Sequence, residues 1–254
     1  MTEIIDTGAP ASQEPRPNYW RGTLDTVLYP ARGRMPLFLL VMALCLTVKP
    51  LADSLLGPAL AVRLRAPLLA LSGVLGLAAL VLMPAFYNAI VKRSAADEQG
   101  SPGWPGLSDP AALAAAALKV YAVVIWSFLP LLIYLLTLEK TKSAPSLPLV
   151  LTLSVLACLY LPMALLLLIM LGKLWPCLLP SNVIDPVVRT FATYWRLRLM
   201  MLAGGLFLPV SALLARIPVI GPAIAVFCGL YLYTCMMNAL GRFYRLEQKR
   251  LNWV

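Results

Sequence analysis

Long apolar runs alternate with short polar joints along most of this chain. The runs cover about 35–56, 66–91, 111–138, 147–171, 199–215 and 217–240. A helix needs about 20 apolar residues to cross the hydrocarbon of a bilayer. Most of the runs meet that length, and the pattern predicts six transmembrane helices. The first is the most interrupted, because Lys49, Pro50 and Asp53 fall near its end. It reaches full length if the Lys49 ammonium extends to the headgroups.

Two other stretches carry a helical period without the length to span. In the first, about 19–29, Trp20, Leu24, Val27 and Leu28 fall on one face and Arg21 and Asp25 on the other. In the second, about 183–197, Ile184, Val187, Val188, Phe191 and Trp195 form the apolar stripe, with Asp185, Arg189 and Arg196 off it. Both read as amphipathic helices lying at the cytoplasmic interface. Each leads into an Arg-x-Arg pair, Arg32/Arg34 and Arg196/Arg198, and then into an apolar run. Thr26 and Thr190 precede their pairs by the same interval, Thr-x5-Arg-x-Arg. A degenerate internal repeat and two independent uses of one membrane-insertion device both fit this spacing. The predicted fold is all-α. A Pro-, Ser- and acid-bearing tail, expected to be flexible, occupies 1–18, and a single polytopic membrane domain covers 19–254.

Composition sharpens this picture. Hydrophobic residues make up 61% of the 254 and charged residues 13%, about half the charged share of a soluble domain. The net charge of +10 points to topology rather than nucleic acid, because the basic residues flank the runs. With the N-terminus inside, the external joints hold Lys49, Arg63, Arg65, Lys140, Lys142 and Arg216. Apart from Lys119, the other Lys and Arg fall on the cytoplasmic side. The positive-inside rule then places both termini in the cytoplasm. No apolar segment resembling a cleavable signal precedes the first run.

Candidate chemistry is sparse. The chain has no histidine, and its five cysteines form no C-x-x-C pair. Paired carboxylates near Asp97, Glu98 and Asp109 sit in a Gly/Pro-rich loop and read as solvated turn charges. No catalytic, cofactor or metal residue is expected. Lys119 lies inside the third run and is the one intramembrane ionisable candidate; it could also extend to the interface. The candidate contacts for anionic headgroups or partner subunits are Trp20, Arg32, Arg34, Arg196, Arg198 and a basic C-terminal extension bearing Arg242, Arg245, Lys249 and Arg250.

YPARG, PAFYNAIVKRSAADEQGSPGWPGLSD, NVIDPVVRTFATYW and ALGRFYRLEQKRLNW fall in that order. Together they resemble a loosely defined group of uncharacterised bacterial polytopic membrane proteins that share a domain of unknown function. The resemblance implies the bacterial inner membrane and carries no activity with it. The expected function is non-enzymatic: an accessory or scaffold subunit of a membrane assembly, or an organiser of surrounding lipid. The alternative is a transporter or permease for a lipid or small apolar molecule, using proline-kinked spans and Lys119.

Overall fold

The computed structural model describes residues 19–55, 58–98, 109–142, 144–205, 207–251 and 253. Side chains are described for all of these except 19–23, 53–55, 58–65, 203 and 208. The expected flexible tail, the Trp20 side chain and most of the Gly/Pro-rich loop between Glu98 and Asp109 lie outside these sets. The described residues are helical with no strand. In chain order the helices are α1 (Tyr19–Leu28), α2 (Met35–Leu55), α3 (Pro58–Ala95), α4 (Pro110–Thr141), α5 (Leu147–Leu171), α6 (Trp175–Leu178), α7 (Pro180–Arg189), α8 (Phe191–Gly205), α9 (Phe207–Leu214) and α10 (Gly221–Leu251). A 3-10 turn over Tyr29–Ala31 joins α1 towards α2.

Five helices contain stretches long and apolar enough to cross a membrane: Met35–Ala52, Ala66–Ala95, Pro110–Thr141, Leu147–Leu171 and Gly221–Leu251. The chain is therefore a multi-pass, all-helical membrane protein. The run 199–215, expected as a further span, is divided between the end of α8 and α9, on either side of residue 206, which is not described. Neither piece alone has the length to cross. The amphipathic stretch 183–197 is not one helix. It divides at Thr190, whose hydroxyl donates to the Pro186 carbonyl at 2.8 Å, with backbone angles of −108° and 20°. α8 then continues beyond 197.

Local chemistry explains the helix ends. Asp109 caps α4 by accepting from the Ala112 N–H at 2.9 Å, with Pro110 at the first turn. α5 ends at Gly172, whose φ of +67° is the left-handed turn that glycine adopts without a Cβ penalty. Pro84, Pro130 and Pro162 lie inside α3, α4 and α5, where each removes a backbone donor. Pro222 sits in the first turn of α10, where a proline forces no kink.

The helix ends sort to two sides. At one end the Asn238 amide of α10 donates to Ser94 of α3 at 2.7 Å, and Arg245 pairs with Asp97 just past α3. Thr193 of α8 donates to Glu247 of α10 at 2.6 Å. Tyr231 of α10 donates to the Val27 carbonyl of α1 at 2.7 Å. Met83, Val120, Ile169 and Met237 line one small cavity of about 150 Å³, which sets α3, α4, α5 and α10 at a common level. Hence α2, α4 and α8 start from this end, and α3, α5 and α10 return to it.

The core lies towards that same end. α5 buries Pro162 to Ile169 while Leu147, Leu149, Leu151 and Val155 are exposed. α3 buries Phe86, Ile90 and Val91 while Leu69, Leu71, Val74 and Leu77 are exposed. Stacked rings of Phe38 and Phe86, 4.0 Å apart, join α2 to α3. An edge contact of Tyr87 with Tyr233 at 4.5 Å joins α3 to α10. Between helices in lipid, such packing and buried hydrogen bonds carry the stability, because lipid is as apolar as leucine.

Candidate lipid-facing site

After Gly172 the chain folds back along α5. Tyr160 donates to the Cys177 carbonyl at 2.6 Å, although Tyr160 lies three turns, about 16 Å, before the end of α5. α6 and α7 are therefore packed against the flank of α5, with Cys177 and Val183 fully buried. Burial pushes the Cys177 thiol up to about 11.

This fold-back frames a groove of about 580 Å³ between α4, α5 and α7. Trp126, Leu156, Ala157, Tyr160, Ile184 and Val187 are among its walls. Its volume is in the range of about 300–1,000 Å³ typical of small-molecule sites, and its walls are almost wholly apolar. The opposite face of α7 borders a second, more polar hollow of about 270 Å³, with Asn182, Asp185, Arg189 and Trp253. Arg189 pairs with Asp185 at 2.8 Å. α7 thus lies between an apolar groove and a more polar hollow.

α1 and α7 dock in the same sense. Thr26 and Thr190 are buried, whereas Leu24, Val27 and Leu28 of α1 and Ile184 and Val188 of α7 are exposed, as are Phe191 and Trp195 of α8. Most of each stripe turns away from the bundle, although Val187 packs against the core. In water that arrangement is costly; against lipid it is the favourable one.

The basic candidates occupy different settings. Arg32 pairs with Asp25 at 3.2 Å, and Arg34 and Arg196 are exposed. Arg245 pairs with Asp97, and Arg250 pairs with Glu247 at 3.4 Å. Lys249 is exposed and Arg242 half-buried. Phe243, Tyr244 and Leu251 of the C-terminal extension are buried in the protein core, while Leu246 is exposed, so one face of this segment packs into the bundle. Tyr29 is buried beside Arg93, Arg242 and Arg32; burial raises its hydroxyl pKa, and the three guanidiniums oppose that rise. Lys119 donates from Nζ to the Gly172 carbonyl at 3.1 Å. It places its charge on the C-terminus of α5, where a cation is favoured.

Arg198 was not separable from Arg196 in the sequence, yet the two differ completely. Arg198 is 7% exposed. Its Nε has no partner, and Nη1 reaches only Met201 Sδ at 3.9 Å.

Among the described residues no group of three or more Cys, Asp or Glu could hold a metal ion. No family model, curated protein or solved structure matches the chain.

Proposed function

We propose that this is a non-enzymatic inner-membrane protein that organises lipid around itself, holding an acyl chain in the α4–α5–α7 groove, alone or as an accessory subunit of a larger assembly. The groove carries this reading. Its walls belong to two helices long enough to span and to the amphipathic helix packed on them, so the medium that meets it is the hydrocarbon of the bilayer. An apolar cleft of that size accepts a chain without unmaking any polar contact. We propose also that α8 and α9 together complete a sixth crossing, since α8 starts from the end to which α10 returns. Six crossings put both termini on one side, and the surplus of Lys and Arg there makes that side the cytoplasm.

The test is mild extraction followed by native mass spectrometry of the wild type and of Leu156→Trp. Leu156 is 56% exposed, so the indole fills the groove without disturbing the core. The expected result is a tightly held lipid on the wild type that is lost from the variant. Equal lipid retention by both proteins, or none by either, would overturn the reading.

A further inference from the structure

The described guanidiniums near carboxylates are neutralised in pairs: Arg32 with Asp25, Arg93 with Glu98, Arg189 with Asp185, Arg245 with Asp97 and Arg250 with Glu247. Those arginines are also partly exposed. Arg198 inverts both properties: it is more than nine-tenths buried, and among the described residues no carboxylate lies within ion-pairing distance. A thioether is a weak acceptor and does not compensate a positive charge. Removing an unpaired guanidinium from water is costly, and inside a membrane such a residue marks a function by default.

Its neighbours indicate what the charge meets. Tyr194, one turn earlier on α8, lies within electrostatic reach of Arg198 and donates its hydroxyl to the Leu159 carbonyl. Leu159 lines the apolar groove. Arg198 thus lies one turn along α8 from a tyrosine bonded to a wall residue of the groove, and it directly precedes the apolar run 199–215.

We propose that Arg198 holds the phosphate of an anionic phospholipid whose acyl chain occupies the α4–α5–α7 groove. This rests on the groove reading above and adds the headgroup to it. The guanidinium fork suits phosphate oxygens, in two parallel N–H···O bonds. An anionic lipid supplies the missing counter-charge and, through its chain, a reason for the site to lie beside an apolar cleft. Arg196, two residues away and exposed, is the internal control.

The experiment uses the full chain in nanodiscs. Wild type, Arg198→Met, Arg198→Lys, Arg196→Gln and Leu156→Trp are each measured in zwitterionic phospholipid, in the same lipid containing phosphatidylglycerol, and in zwitterionic lipid with added inorganic phosphate. The readouts are the thermal midpoint and the lipid retained on native extraction. Phosphatidylglycerol should raise the midpoint of the wild type and Arg196→Gln, raise that of Arg198→Lys less, and leave Arg198→Met unmoved. Retention of the anionic lipid should fall at least about tenfold in Arg198→Met. The proposal is overturned if phosphatidylglycerol stabilises Arg198→Met as much as the wild type, or if inorganic phosphate alone reproduces the shift. Should Arg198→Met fail to fold, the Arg198→Lys series decides: an undiminished lipid shift there counts against a phosphate fork. If the wild-type shift persists in Leu156→Trp, Arg198 binds the headgroup and only the groove reading fails.

Discussion

At the scale of single residues, position outweighs residue type. Gly241 and Gly229 lie on the same helix. A Cβ at Gly241 would stand 2.5 Å from the Val91 carbonyl oxygen and 2.6 Å from Ser94 Cβ, whereas at Gly229 it meets nothing within 4 Å. The obstacle at Gly241 is backbone, so it cannot rotate away. Gly241→Ala should destabilise by about 1–3 kcal/mol and lower the thermal midpoint in detergent, and Gly229→Ala should leave it unchanged or raised. Cys177 supplies a pH test. Its raised value means that the fold holds the neutral thiol. The resulting stabilisation is complete below the ordinary value of 9.0 and is lost as pH rises through about 11. Maleimide labelling in detergent should therefore find the exposed Cys158 well before Cys177 at any pH below 9. Lys119 is a milder case. Lys119→Met should cost less than about 1 kcal/mol, since an exposed ammonium on a helix terminus is well screened.

At the scale of elements, the sequence period located nearly every helix but not its orientation. The stripe Leu24, Val27, Leu28 and its counterpart from Ile184 to Trp195 were legible at once, because a 3.6-residue period survives without any tertiary knowledge. Which way the stripe faces was not legible. In a soluble protein it would turn to the core, and here buried Thr26 and Thr190 do so instead. The break at Thr190 was hidden for a related reason: the apolar spacing runs straight through it. Lys119 could not be matched to Gly172, 53 residues away, nor Arg198 told from Arg196, because both distinctions are made by tertiary packing. The outward stripe is directly testable. A variant retaining only Trp195 should be quenched strongly by lipids carrying a spin label near the headgroup and weakly by labels near the chain end. Equal quenching by both labels would place α8 across the bilayer at that residue.

At the scale of the whole molecule, the spacing Thr-x5-Arg-x-Arg occurs in two different settings: Thr26 lies inside α1 with Arg32 and Arg34 in the joint before α2, whereas Thr190 lies between α7 and α8 with Arg196 and Arg198 inside α8. α3 and α10 pack on each other through Gly241 and the Asn238–Ser94 bond. The number of apolar runs could be read from composition, but the concentration of the core at one end could not, because lipid-facing and protein-facing residues are equally apolar. Reporter fusions at the two termini should give the same compartment if α8 and α9 cross together. The claim that a lipid chain lies in the groove is tested most directly by photocross-linking in native membranes, with a phospholipid carrying a diazirine on its acyl chain and the adducts mapped by mass spectrometry. Adducts concentrated at Trp126, Leu156 and Ile184, and abolished at those sites by Leu156→Trp with labelling elsewhere unchanged, are the predicted result. Adducts spread evenly over exposed apolar positions such as Leu77, Ile133 and Leu213 would contradict it.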